Sequence, residues 1–100
     1  MADMLGYAVF KSQKLLKVSL EHDGLRIGSV KIHGDFFLYP EDAIVQLEQS
    51  LQNVPLEKEK LENAISSSLS QSGAEAFGFN PPDLAQAILQ AAQPVEVKPA

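Results

Sequence analysis

The residues that offer chemistry are few and cluster in one short run. His33 stands two positions before Asp35, a pairing suited to moving protons near neutral pH. The run reads His33-Gly34-Asp35-Phe36-Phe37-Leu38-Tyr39-Pro40, and three of the chain's seven aromatic residues fall between 36 and 39. A catalytic set needs more than a base and an acid, and neither a nucleophile nor a third orienting partner accompanies this pair. Asp35 is therefore expected to cap backbone amides of the turn that follows it. Adjacent aromatic side chains rarely enter one core together. One of Phe36 and Phe37 is expected to plug the core, and the other, with Tyr39, to be available as an interface anchor. Lys14, Lys17 and Lys31 form a second group, read either as a solvated face or as a contact for an acidic partner or phosphate; the solvated face is the favoured reading.

Other chemistries are excluded by composition. The chain has no cysteine, which removes disulfides, thiolate catalysis and cysteine-held metal clusters. Two histidines leave little for a metal site. Gly24, Gly28 and Gly34 are spaced for turns and a strand, not for a phosphate-binding loop. The net charge of −5 argues against nucleic acid as a partner. No run of about eighteen apolar residues is present, so no membrane span is expected. The first residues lack the basic and apolar regions of a secretory leader, and the expected location is cytoplasmic.

Elements must position these residues. One hundred residues, 45% of them hydrophobic, suffice for one core. Residues 1–93 are read as a single domain and 94–100 as a flexible tail. Tyr7 to Lys11 reads as a short edge strand. Residues 14–22 alternate, with Leu16, Val18 and Leu20 on one face and Lys17, Ser19 and Glu21 on the other, which predicts a half-buried strand. Asp23-Gly24 predicts a two-residue hairpin turn into a strand over 25–33. Closing on that turn pairs Glu21 with Arg26 and Leu20 with Ile27. A β-bulge at Gly28-Ser29 then brings Val18 opposite Val30, Leu16 opposite Ile32 and Lys17 opposite Lys31.

The period changes after the hairpin. Pro40 suits a first helical turn, with Glu41 and Asp42 near the positive end of the helix dipole. Ile44, Leu47 and Leu51 make its buried stripe, and Asn53-Val54-Pro55 stops it. A second helix is predicted over 57–71, burying Leu61, Ala64 and Ile65 and ending at Gly73. Its Glu57, Glu59, Glu62, Lys58 and Lys60 are surface charges. Ala76-Phe77-Gly78-Phe79 is expected to anchor on the core. Asn80-Pro81 starts a last helix over 81–92 that buries Leu84 and Ile88. Strands first and helices afterwards predict an α+β fold, with about three helices covering one face of a three-stranded antiparallel sheet. Charge divides along the same line: residues 1–34 carry five basic against three acidic residues, and residues 35–100 three against ten. Two surfaces with different partners are expected.

One stretch is informative beyond its physics. Lys14-Leu-Leu-Lys-Val-Ser-Leu, Asp23-Gly24-Leu-Arg-Ile and Val30-Lys-Ile-His-Gly34-Asp-Phe-Phe-Leu-Tyr-Pro40-Glu-Asp-Ala-Ile resemble the C-terminal domain of lipoate–protein ligases, in particular the archaeal type in which that domain is a separate small chain. Gly78-Phe-Asn-Pro-Pro-Asp-Leu-Ala85 is similar to the family's closing segment. Where the family usually has Gly-Gly-Lys before the first long strand, this chain reads Ser12-Gln13-Lys14, so a turn that relied on positive φ would differ here. The resemblance implies a two-layer fold of the kind found in NifU-type iron–sulfur scaffold proteins. It implies an accessory subunit that performs no catalysis alone. The large subunit would use lipoate, ATP and Mg to form lipoyl-adenylate, then pass the lipoyl group to a lysine of an acceptor domain. The partners implied are that large subunit and the lipoyl acceptor domain. Phe36, Phe37, Tyr39 and Asp35 become the expected interface, with Lys14, Lys17 and Lys31 near an anionic group. A stand-alone protein-binding adaptor is the competing reading.

Overall fold

The computed structural model describes residues 4–92; the tail expected at 94–100 lies outside them. Alternation in the first third builds three antiparallel strands, β1 (Met4–Lys11), β2 (Leu15–His22) and β3 (Ile27–Gly34), in the order β1-β2-β3. Their inward residues Ala8, Leu16, Val18, Leu20, Ile27, Val30 and Ile32 are buried. Their outward residues, Lys17, Ser19, Glu21, Lys31 and His33 among them, face water. A sheet wet on one side must bury the other under helices. Three do this: α1 (Ala43–Ser50), α2 (Lys58–Ser72) and α3 (Pro81–Ala92). α3 lies over β1 and β2, α1 lies against β3, and α2 packs on both other helices. Leu47, Leu51, Leu61, Ile65, Leu84 and Ile88 are fully enclosed between the layers. Each such side chain contributes about 1.5–3 kcal/mol by leaving water. The expected α+β plan is the observed one.

Helix ends follow local chemistry. Gly73 closes α2 in the left-handed region at φ 64°, where a Cβ would be strained. The Asn80 side chain accepts the backbone N–H of Asp83 at 2.9 Å, an N-cap for α3. Helix α1 begins later than expected. Pro40 lies in the turn before it, accepting the Ala43 N–H on its carbonyl, and Ala43, Leu47 and Leu51 rather than Ile44 form the fully buried stripe.

The β2–β3 hairpin departs from its predicted closure. A bulge is present, with Gly28 the extra residue between the Glu21–Ser29 and His22–Ile27 pairs, but the register differs. Val18 pairs with Ile32, Leu20 with Val30 and Lys17 with His33; Lys31 stands opposite Ser19, so the two lysines are not opposed. The cause is a longer loop. The Asp23 carboxylate accepts N–H bonds from Leu25 and Arg26 at 2.9 and 2.8 Å, and buried His22 accepts the Gly24 N–H on Nδ1. The amides of Arg26 and Leu25 hold the Asp23 pKa below its ordinary value. Residues 25–27 meanwhile bond to the segment after α1: Ile27 N–H to Val54, Asn53 N–H to Ile27 and Leu56 N–H to Leu25. A tertiary partner has taken backbone groups that a two-residue turn would have given to β2.

A second, unexpected sheet completes the fold. β4 (Phe37–Tyr39) and β5 (Glu75–Phe77) form an antiparallel two-stranded ribbon, pairing Phe37 with Phe77, Leu38 with Ala76 and Tyr39 with Glu75.

Candidate partner-docking site

The ribbon gathers the aromatic residues, and its alternation sorts them. Leu38 points inward and is buried, which turns Phe37 and Tyr39 outward. Across the ribbon Phe77 also faces out. Phe37, Tyr39 and Phe77 are 50%, 64% and 52% exposed, and the Phe37 and Phe77 ring centroids lie 6.3 Å apart.

Beneath them is a fixed support. Phe79 is buried, and Phe36 meets it edge-to-face with centroids 5.1 Å apart and an interplanar angle of 82°. Phe36 thus packs against the core, partly buried, and Phe37 is the outward ring. Two glycines let the backbone make these switches. Gly34, at φ 147°, leaves β3 so close to β2 that a Cβ would stand 2.0 Å from the Leu15 carbonyl oxygen. Gly78, at φ 106°, turns the chain from outward Phe77 to inward Phe79, and a Cβ there would meet the Lys14 side chain at 2.8 Å.

The β1–β2 turn joins the ribbon at this point. Lys14 N–H donates to the Gly78 carbonyl at 2.8 Å, so the lysine stem lies against the ribbon while the residue stays exposed. Ser12 N–H closes the turn on the Lys14 carbonyl, and Ser12 Oγ donates to Asp83 Oδ2 at 2.5 Å. Asn53 is the non-glycine residue with positive φ among the described residues, so Ser12 and Gln13 make this turn without needing glycine.

The remaining sequence candidates fall elsewhere. The Asp35 carboxylate makes no hydrogen bond among the described residues; its backbone N–H, not its side chain, secures the turn by donating to Leu15. That corrects the expected cap: strand β2 supplies the acceptor that the turn lacked. Lys17 and Lys31 stand on the outer sheet face, and Lys31 Nζ lies 3.9 Å from Glu48 Oε1. Phe77 was missed as an outward residue, because Ala76-Phe77-Gly78-Phe79 read as one core anchor; the glycine between its two rings was the signal that they part. Among the described residues no three His, Asp or Glu side chains converge as a metal site.

The whole arrangement presents three rings on a rigid base, with a cation at its side. Exposed aromatic rings of this kind are enriched at protein–protein interfaces.

Known proteins share this architecture. Residues 15–88 match the model of a family described as the bacterial lipoate protein ligase C-terminus. The lipoate-protein ligase A subunit 2 of Thermoplasma acidophilum is 39% identical over 80 residues, covering 79% of this chain and 82% of that protein. A solved chain from an archaeal lipoylation system, a bi-partite lipoate protein ligase and its E2 lipoyl domain from the same organism, superposes with a TM-score of 0.74 at 36% identity, over 85% of this chain and 94% of that one.

Proposed function

Because the chain belongs to the family of lipoate protein ligase C-terminal domains, we propose that it serves as the accessory small subunit of a bipartite lipoate–protein ligase and docks through its aromatic ribbon. The observation that carries the docking assignment is the pair of adjacent rings. Phe36, partly buried, packs on Phe79 against the core, while Phe37 is held half exposed beside Phe77.

The substrates belong to the other subunit. A nucleotide needs a phosphate cradle and buried polar groups aimed at it. Every buried side-chain nitrogen and oxygen among the described residues already has a partner. The ribbon's outer face is formed by the half-exposed rings of Phe37, Tyr39 and Phe77. In this reading lipoate, ATP and Mg are used by the large catalytic subunit, which makes lipoyl-adenylate and transfers the lipoyl group to the acceptor domain.

The small subunit acts by closure. A mixed anhydride is lost to water unless the site is shielded, and a docked domain both orders surrounding loops and excludes solvent. Phe37, Tyr39 and Phe77 anchor the contact. Lys14, fixed by its bond to Gly78, brings a positive charge to the same surface and favours an anionic neighbour. The complex is read as cytoplasmic.

Reconstitution tests this reading. The catalytic subunit alone should form little lipoyl-adenylate, and adding this chain should restore ATP-dependent adenylation. Phe37→Ala should weaken the complex by about 2 kcal/mol, roughly 30-fold in Kd, with the fold intact by circular dichroism. Equal adenylation with and without this chain would remove the accessory role, and unchanged affinity of Phe37→Ala would remove the ribbon as its anchor.

A further inference from the structure

The two edges of the main sheet are treated differently. At β3 the exposed backbone is stoppered: the Glu48 carboxylate of α1 accepts the Ile32 N–H at 2.9 Å. At β1 no described residue performs that service, and among the described residues β1 pairs with β2 alone. Open edges are ordinarily guarded by charge or proline. This one carries Leu5, Tyr7 and Val9 outward, with Leu5 82% exposed, and only Lys11 at its end is charged. The outward residues one strand further in are Glu21, Ser19 and Lys17, paired with Leu5, Tyr7 and Val9 in turn. The apolar strip thus lies on the edge itself.

We propose that a second copy of this chain occupies that edge, joining β1 to β1 across a two-fold axis to make one six-stranded antiparallel sheet. Three features fit a copy. The first is register. With Tyr7 opposite Tyr7, Leu5 of each chain meets Val9 of the other, and all outward residues stay on one face. The second is sign. Glu21 backs the Leu5 end and Lys17 the Val9 end, so antiparallel copies bring the acidic end of one toward the basic end of the other. These charges sit about three strand spacings apart, roughly 14 Å, so the pattern is complementary in sign and contributes little to strength.

The third feature is the helix layer. Gly6 lies so close under α3 that a Cβ there would meet the Ala91 carbonyl oxygen at 1.7 Å, and α3 packs about equally on β1 and β2. Its axis therefore runs above the line between those strands. With strands about 4.8 Å apart, the two α3 helices of a pair would lie roughly 10 Å apart across the axis, at the upper end of ordinary helix packing. Among the described residues, this spacing lets both the sheet and the layer above it continue.

Sedimentation equilibrium on the full chain, from micromolar to submillimolar concentration, tests the pairing. A mass of two chains is expected. Tyr7→Lys, which sets two lysines opposite each other at the axis, should raise the dimer Kd by about tenfold or more, and Val9→Lys, opposite Leu5 of the other copy, should also raise it, while the circular dichroism melt at concentrations too low for pairing is unchanged. The β1 amides that do not bond to β2 should exchange slowly only at dimer-forming concentrations. A single-chain mass throughout would overturn the proposal, as would lysine variants that keep the dimer mass. Two further outcomes would overturn it by naming another occupant. A monomer whose Val9→Lys variant binds the catalytic subunit less well assigns the edge to that subunit. A monomer that dimerises once Val95 and Val97 are both changed to Asp assigns it to the chain's own last residues.

Discussion

The β4–β5 ribbon and strand β1 both hold large apolar side chains in water, but opposite devices put them there. At the ribbon, side chains underneath do the work: Phe36, Phe79 and Leu38 fill the interior, and alternation leaves Phe37, Tyr39 and Phe77 outside. At β1, the inner positions at the centre of the strand hold almost no side chain. Gly6 and Ala8 face α3, whose backbone comes so near that a methyl group at Gly6 has no room. Leu5, Tyr7 and Val9 take the outer positions because the inner ones admit only small residues at the centre of the strand. One surface rests on a plug and the other on an absence. A plug is sensitive to truncation and an absence to addition, so the two can be broken separately.

Truncating the plug should have the largest effect. Phe79→Ala removes a buried ring and its edge-to-face partner contact, at a cost of about 3 kcal/mol in unfolding free energy by denaturant titration. Filling the absence should come next. Gly6→Ala forces α3 away from β1, an overpacking cost of about 2 kcal/mol. The contrast sharpens when both variants are studied under conditions where they remain folded. Phe79→Ala should weaken binding of the catalytic subunit and leave association through β1 unchanged. Gly6→Ala should do the reverse. If both variants lose both properties in proportion to their stability, the two surfaces are not separate devices.

The difference also explains what could be read from sequence. The main sheet and helices were legible because their signals are local: alternation through Leu16, Val18 and Leu20, a left-handed stop at Gly73, a cap at Asn80. The ribbon was not, because each of its strands is three residues long and Leu38 finds Ala76 across most of the helical half of the chain. No periodicity can announce a pairing of that length. The hairpin register failed for a related reason. Asp23-Gly24 is a sound turn signal, yet Leu25 and Ile27 bond to residues after α1, which no property of the turn itself encodes. At the docking site, the division of labour between Phe36 and Phe37 could be expected from their adjacency, whereas Phe77 became visible as their neighbour only once β5 was placed. The apolar edge of β1 was half legible: the strand was expected, but its outward residues acquire meaning only from the closeness of α3.

The smallest effect decides whether the ribbon's rings serve the free subunit or its partner. Phe37 and Phe77 are cross-strand neighbours with centroids 6.3 Å apart and a 42° tilt. Each is about half exposed, so their contact is wet on one side and should sit at the low end for aromatic pairs, about 0.5 kcal/mol. A double-mutant cycle with Phe37→Ala, Phe77→Ala and the combination isolates that coupling. Measured as unfolding free energy of the isolated chain, it should be close to this value, and each single variant should also lose little. Measured as binding free energy to the catalytic subunit, the single losses should be several times larger. A coupling in stability as large as the loss in binding would make the ring pair a structural clasp of the ribbon, and the comparison with β1 would then rest on two surfaces held for folding rather than one held for a partner.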